Sequence, residues 1–202
     1  MTAEEFGALL LLATAMSFTP GPNTTLSTAL AANHGLRAAL PFCLAVPTGW
    51  TLLMLLCGAG AGALILALPP LRWALKVFGV GYLLWLAWRL WQANRLGAAE
   101  APLRVGYVQG VMLQFVNIKA WMLALALTAG WVALPGLTHG QALHRLGLVL
   151  AVMACYAFVS NFVYASAGAL LRQWLSQRRR LLVFNRVLAS LLAATAVWMA
   201  LA

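Results

Sequence analysis

Acidic side chains are nearly absent from this chain. Its 202 residues contain no aspartate and three glutamates, Glu4, Glu5 and Glu100, and charged residues of both signs make up 8% of the total. A soluble domain carries about 25% charged residues. So few charges cannot cover a surface that faces water. Together with a hydrophobic fraction of 64%, they predict an integral membrane protein with no room for a soluble domain.

Cysteine and histidine are also scarce, and none of them forms a ligand or catalytic pattern. The three cysteines, Cys43, Cys57 and Cys155, fall in apolar stretches and show no C-x-x-C spacing. The three histidines lie near the ends of apolar segments, and no two share a helix face at metal-ligand spacing. We therefore expect no disulfide, no metal site and no cofactor. No nucleophile lies beside a base, so we expect no enzymatic activity.

The excess of positive charge indicates lipid rather than nucleic acid as a partner. The net charge of +10 comes from 13 lysines and arginines. Most lie in short connections between apolar segments, where they set orientation and meet anionic lipid. They form no solvated stripe with interleaved aromatic residues. Glu4 and Glu5 stand where a signal peptide carries basic residues, so no cleaved signal is expected.

Six apolar segments are long enough to cross a membrane as helices of about 20 residues. They cover residues 6–32, 40–68, 71–91, 106–134, 143–171 and 181–201. A polar linker at 93–105 divides the single membrane domain, 1–202, into a first half, 1–92, and a second half, 106–202. Connections on one side hold nine lysines and arginines and those on the other hold three. This asymmetry predicts that the basic side is cytoplasmic and that both termini lie outside.

An odd number of spans in each half would place two similar halves in opposite orientations. Transporters built on such inverted repeats carry helix breaks at corresponding positions, and these breaks form the substrate site near mid-membrane. The first and fourth segments of this chain each hold a candidate break. The predicted fold is therefore all-α, with six transmembrane helices in two inverted three-helix halves and a site between the first and fourth.

The candidate break in the first segment is Pro20-Gly21-Pro22. Each proline removes a backbone N–H and glycine widens the accessible torsions, which frees carbonyls that lipid cannot satisfy. Asn23 and Thr24 follow at once, and we expect their side chains to hydrogen-bond a polar substrate. The alternative is a proline kink that Asn23 caps locally.

Lys119 lies near the middle of the fourth segment, about 20 Å along the helix from its start. A charge at the centre of a span costs at least ~2.5 kcal/mol on insertion scales, so such residues usually have a function. Its ammonium would bind a substrate carboxylate or exchange a proton. Gln114 and Asn117 share a helix face and are further candidate ligands. The alternative is a lysine that snorkels to the interface.

The fifth segment contributes a weaker polar cluster. Spacings of three and four residues place Ser160 or Asn161 on the helix face of Tyr164. Tyr164 is a candidate substrate ligand, and hydrogen bonding between helices explains the cluster at least as well.

The chain resembles the lysine exporter (LysE/RhtB) family of bacterial amino-acid exporters. The resemblance rests on F-T-P-G-P-N-T at 18–24, N-H-G-L-R at 33–37, G-Y-L-L-W-L-A at 81–87, Q-F-V-N-I-K-A-W at 114–121 and F-N-R-V-L-A-S-L-L at 184–192. It implies six spans, a bacterial inner-membrane location, and proton-driven efflux of small amino acids or their derivatives.

Two departures from the family pattern matter. Ile118 replaces a proline in the fourth segment, which predicts a milder break and a longer helix there. The fifth segment has Cys155, Tyr156 and Ala157 where many members carry an acid, which leaves Lys119 as the mid-membrane titrating side chain.

We therefore expect a multi-pass exporter of a neutral amino acid or small derivative, because no membrane acid offsets a second cation on the substrate. Its partners are the substrate and lipid, and a homo-oligomer stays open. The alternatives are an ion or metal exporter, a membrane enzyme, or an assembly subunit without transport.

Overall fold

Helices make up all the regular structure in this computed structural model, which describes residues 1–60, 67–94, 96 and 103–201. No strand occurs within these residues, which confirms the all-helical prediction. Most of the predicted linker at 93–105, and residues 61–66 of the second predicted span, lie outside the described residues. In chain order the α-helices are α1 (Ala3–Phe18), α2 (Pro22–His34), α3 (Leu36–Gly58), α4 (Pro69–Trp91), α5 (Tyr107–Val116), α6 (Ile118–Leu127), α7 (His139–Leu171) and α8 (Arg178–Leu201). A π-helical turn, Thr128–Val132, extends α6, and a 3-10 turn, Trp174–Ser176, precedes α8.

Three of these helices, α3, α7 and α8, are long and apolar enough to cross a membrane. Helix α5 and its bent continuation to Val132 make a fourth if the pair is one span. With 16 and 13 residues, α1 and α2 are each too short to span alone. Large apolar side chains project outward, and Leu170 is 83% exposed, as expected for surfaces that face lipid. The count of six spans stays a prediction.

The chain leaves the helical conformation for three residues between α1 and α2. In an unbroken helix, residues 20 and 22 would donate their N–H groups to the carbonyls of Met16 and Phe18. Proline has no N–H, so neither bond can form. Pro22 then occupies the first position of α2, where an N–H would have no helical partner in any case.

A second break separates α5 from α6 at Asn117, where the backbone is extended (φ −89°, ψ 101°). The helix axis bends by 68° at this point. The milder bend predicted from Ile118 is therefore wrong. The physical reason is that Asn117 acts as a helix N-cap: its Oδ1 accepts a hydrogen bond from the Lys119 N–H at 3.1 Å, so no proline is required to start a new helix.

The two helices joined by the first break are buried to different extents. Ten of the 13 residues of α2 are buried, because α2 packs between α7 and α3. Only Leu9 and Ala13 of the 16 residues of α1 are buried. Helices α2 and α7 approach closely at Gly168, where any Cβ would collide with the Thr28 carbonyl. Helix α2 is therefore fixed in the protein core, whereas α1 has few packing contacts.

An ion pair holds the start of α1 against α7. Arg145, at 9% exposure, donates to both carboxylate oxygens of Glu5 at 3.0–3.3 Å and to the Trp131 carbonyl at 3.4 Å. The Trp131 indole N–H donates to the Glu5 carbonyl at 3.0 Å, and the Thr2 N–H donates to the Glu5 side chain at 2.7 Å. These bonds, first the one from Thr2 and then those from Arg145, hold the pKa of Glu5 below its usual value. No local pattern in the sequence predicts this pairing, because its partners are 140 residues apart.

The far end of α2 is held by two buried amides. The Asn33 side chain donates to Asn185 Oδ1 at 2.8 Å, and Asn185 donates back to Asn33 Oδ1 at 3.0 Å. Asn185 also donates to the Ala93 carbonyl, so α2, α8 and the end of α4 are joined at one point.

Candidate functional site

The two helix breaks meet at a small cavity of ≈ 80 Å³. Its walls come from both sides of the first break, from the second break, and from α3 and α7. The lining residues are Met16, Ser17, Thr19, Gly21, Pro22, Asn23, Thr24, Val46, Trp50, Gln114, Asn117, Lys119, Ala120, Leu123, Met153, Ala157, Ser160 and Asn161. The predicted ligands Asn23, Thr24, Gln114, Asn117 and Lys119 are all among them.

Lys119 reaches from the second break to the first. Its Nζ donates to the Met16 carbonyl at 3.4 Å, and a Cβ built on Gly21 would lie 3.7 Å from the same Nζ. The Met16 carbonyl is the one that Pro20 leaves without a helical donor. The lysine is half-buried and is the one charged side chain among the lining residues described above. Its ammonium therefore faces the cavity.

Two more of the carbonyls freed at the breaks accept hydrogen bonds from side chains. The Tyr164 hydroxyl donates to the Phe18 carbonyl at 2.9 Å, and the Trp121 indole N–H donates to the Phe115 carbonyl at 2.7 Å. Both breaks are therefore stabilised by hydrogen bonds across the fold, as buried backbone requires. Tyr164 and Pro20 are not among the lining residues, and Tyr164 contacts the break from outside the cavity.

The N-terminus of α2 opens onto the cavity. The Gly21 N–H donates to Thr24 Oγ1 at 3.0 Å, and this hydroxyl donates back to the Gly21 carbonyl at 3.1 Å. The N–H of Gly21 is thereby turned away from the Ser17 carbonyl, its partner in a continuous helix. The cavity thus has a helix N-terminus, which favours negative charge, beside the carboxyl end of α1, which favours positive charge.

Asn23 and Gln114 join the two breaks directly. Asn23 donates to Gln114 Oε1 at 2.9 Å and Gln114 donates to Asn23 Oδ1 at 3.1 Å. Gln114 has no exposed surface, and its amide also donates to the Gly110 carbonyl at 3.1 Å. At the cavity wall, an amide from the first predicted half therefore binds an amide from the second.

Asn161 of α7 forms a hydrogen bond with α2. Ser27 of α2 donates to Asn161 Oδ1 at 2.8 Å, and Asn161 donates to the Ala157 carbonyl at 2.8 Å. The bond from Ser27 joins α2 to α7, as the packing alternative for this segment expects, while Ser160 and Asn161 also line the cavity.

The sequence analysis missed the cavity residues of α3. Val46 and Trp50 are apolar or aromatic residues in a long apolar helix, and no local pattern distinguishes the cavity side of that helix from its other buried side. Trp50 is 5% exposed, and its indole N–H has no hydrogen-bond partner within the part of the chain that the structure describes. No group of three or more His, Cys, Asp or Glu that could hold a metal ion occurs in that part either.

Comparisons with known proteins agree with one another. A family model described as LysE type translocator matches residues 14–202. The chain is similar to a cysteine/O-acetylserine efflux protein of Salmonella choleraesuis, with 31% identity over 90% of each chain. Proteins of the same name in Klebsiella pneumoniae (29% identity, 99% of this chain and 97% of the relative) and Escherichia coli (31%, 92% and 91%) are also similar. No solved structure matches.

Proposed function

The chain belongs to the family of LysE type translocators, and from this premise we propose that it exports a small neutral amino acid or amino-acid derivative across the bacterial inner membrane. Members of this family are transporters and not enzymes, and amino-acid efflux is the activity of the named relatives. The proposal covers the chemical class of the substrate, the force that drives export, and the inner-membrane location.

One observation carries the proposal: two broken helices meet at a cavity that contains Lys119. Discontinuous helices in transporters direct N-terminal ends at anionic substrate groups and unwound carbonyls at cationic ones. Here the start of α2 at Gly21 and the Lys119 ammonium, both at the cavity, would receive the substrate carboxylate. The Ser17 carbonyl, at the end of α1, would receive the substrate ammonium.

The charge of the cavity favours a neutral side chain on the substrate. Lys119 is the one charged group among its described lining residues, so a second cation on the substrate would find no carboxylate there. The relatives are named for cysteine and O-acetylserine, both of which fit this charge pattern. We propose a substrate of this class.

Proton exchange at Lys119 would couple export to the proton-motive force. As an ammonium, Lys119 would bind the substrate carboxylate from the cytoplasm, and loss of its proton to the cytoplasm would weaken that binding so that the carboxylate leaves on the other side. Lys119 would then take a new proton from the periplasm, so that one proton enters for each substrate that leaves. Lys119 suits this step because no acidic side chain competes with it among the cavity residues described.

Six spans in two inverted halves suit the two breaks, one in each half. In this arrangement α1 and α2 together form one span, and α5 with α6 form its counterpart. The Arg178–Arg180 end of α8 would be cytoplasmic and the end of the chain periplasmic.

A reporter fusion tests this orientation. Alkaline phosphatase fused after Ala202 is expected to be active. A dead phosphatase beside a fluorescent cytoplasmic reporter at the same position would contradict this orientation.

Export is tested in a bacterial host that overproduces the protein. Cells are fed cysteine or O-acetylserine, and the compound is measured inside and outside the cells with and without a protonophore. We expect a lower internal and a higher external level than in vector controls, and a loss of the difference when the proton gradient collapses. Unchanged levels for both compounds, with the protein present in the membrane, would contradict the proposed substrate class.

A further inference from the structure

Trp50 is a polar side chain at the cavity whose hydrogen bonding the fold leaves incomplete. It lines the cavity at 5% exposure, and its Nε1 has no hydrogen-bond partner among the described residues. A buried N–H without a partner destabilises a protein, so phenylalanine would serve better here if packing were the only requirement. The donor is therefore a candidate for a role in binding.

Other tryptophans of this chain show how the fold treats an indole with a structural role. Trp121 Nε1 donates to the Phe115 carbonyl at 2.7 Å, and Trp131 Nε1 donates to the Glu5 carbonyl at 3.0 Å. Each of these bonds fixes a helix end. Trp50 differs from both, because it borders the cavity and lacks such a bond.

The residue before Trp50 packs directly against α5 beside Gln114. A Cβ built on the preceding residue, Gly49, would lie 2.7 Å from the Val111 carbonyl oxygen and 2.8 Å from Gln114 Cγ. Helix α3 therefore approaches α5 as closely as a glycine allows. Val46 of α3 and Met153 of α7 are apolar residues of the cavity wall, and Met153 belongs to the same buried cluster as Trp50, whereas Ser160 and Asn161 are the polar residues that α7 adds to this wall.

We propose that the Trp50 indole N–H donates a hydrogen bond to an acceptor oxygen on the side chain of the exported amino acid, and so selects substrates that carry such an oxygen. This inference rests on the proposed function, in which Lys119 and the start of α2 receive the carboxylate and Ser17 receives the ammonium. The substrate side chain would then lie against Trp50 and its apolar neighbours Val46 and Met153. An ester carbonyl oxygen is a good acceptor for an N–H, whereas a thiol sulfur is a weak one.

A matched pair of substrates isolates this hydrogen bond. O-acetylserine carries an ester carbonyl, and O-ethylserine has a methylene in its place. The wild-type protein is expected to prefer O-acetylserine by about tenfold, the value of one hydrogen bond to a buried partner. Preference is measured as competition in efflux from cells, and independently as the ligand concentration that raises the melting temperature of the purified protein.

Two variants remove the donor. Trp50→Phe keeps an aromatic ring, and replacement of Trp50 by benzothienylalanine keeps the full ring shape while sulfur takes the place of N–H. Both variants are expected to lower the preference for O-acetylserine over O-ethylserine to a ratio near one. Trp198→Phe, at a tryptophan of α8 that is 48% exposed and outside the cavity, serves as the control and should keep the wild-type preference.

Each outcome decides the inference. A wild-type preference in the benzothienylalanine variant overturns it, as does an equal loss of affinity for both compounds, which would indicate shape alone. Preference in the melting assay without export by the wild type would contradict the proposed function while the role of Trp50 stands. Export by the wild type with no preference between the compounds would contradict the role of Trp50 and leave the function intact.

Discussion

Asn23 and Gln114 hold each other in a closed pair of amide hydrogen bonds, 2.9 and 3.1 Å long, at the wall of the cavity. Asn23 lies in the first turn of the helix after one break, and Gln114 lies in the last turn of the helix before the other break. Each amide satisfies the other, so the pair links the two breaks without help from solvent. A movement of one broken helix relative to the other must separate them.

The Asn23–Gln114 pair is predicted to stabilise the protein and to be required for export. Asn23→Leu or Gln114→Met alone removes both hydrogen bonds between the amides and leaves polar atoms of the remaining amide without a partner, which should cost about 1–3 kcal/mol of unfolding free energy. The double variant removes both amides and should recover most of that loss. Export should be lost in all three if the amides also contact substrate. Thermal unfolding and efflux at matched protein levels measure the two effects.

The amide pair Asn33–Asn185 provides the matched control. It has the same reciprocal geometry but does not line the cavity. Asn33→Leu and Asn185→Leu should lower stability in the same way, and the double variant should export normally. A double variant at Asn23 and Gln114 that exports like the wild type would show that this pair is structural as well.

Replacing both prolines of the first break should abolish export without preventing insertion. In Pro20→Ala with Pro22→Ala, new N–H groups can reach the carbonyls of Met16 and Phe18 and continue α1 into α2. These groups would displace Lys119 and Tyr164, which now donate to those carbonyls. We expect normal insertion and a loss of export. Accumulation assays that show full export in this double variant would mean that the break is only a kink.

The ion pair between Glu5 and Arg145 predicts an acid-sensitive component of stability. The folded protein lowers the pKa of Glu5, so its contribution is complete well above the ordinary value of 4.5 and is lost as pH falls through the lower folded value. The melting temperature should therefore drop below about pH 4.5 more steeply in the wild type than in Glu5→Gln. The same slope in both proteins would show that this pair contributes nothing. Glu4→Gln, at an exposed neighbour, is the control.

Much of the site could be predicted from sequence because its chemistry breaks local rules. Two prolines within a membrane segment and a lysine in mid-span are each costly, and both stand out against an apolar background. The structure places Lys119, Asn117 and Gln114 at one cavity with Asn23. What joins them is the closure of the fold, which brings together residues about ninety positions apart, as the Asn23–Gln114 bonds illustrate.

Other features could not be predicted, for physical reasons. Trp50 lies on a helix that is apolar on nearly all sides, so its cavity face has no sequence signal. Arg145 and Glu5 are 140 residues apart, and each separately resembles an ordinary charge at a membrane surface. The bend at Asn117 exceeds what Ile118 predicts, because an asparagine N-cap begins a new helix without a proline.

Lys119→Met is expected to abolish export while the protein still inserts. Methionine retains much of the length and volume of the side chain, and insertion should improve because a buried ammonium costs ~2.5 kcal/mol or more. The Met16 carbonyl loses its donor, which offsets part of this gain. Lys119→Arg should restore little, since a guanidinium is bulkier and does not release its proton.

Lys76 is the matched control, because the chain has only these two lysines. Lys76 lies in α4, where its ammonium sits 5.3 Å from the centre of the Trp73 ring, and it does not line the cavity. Lys76→Met should therefore export normally.

The measurement is efflux from preloaded vesicles at matched protein levels, with the amount of inserted protein determined separately. If Lys119 acts on the substrate or on a proton, Lys119→Met should insert better and lose export. If Lys119 only caps the Met16 carbonyl, the same variant should lose both insertion and export. Wild-type efflux in Lys119→Met would show that this residue does not carry the transport mechanism.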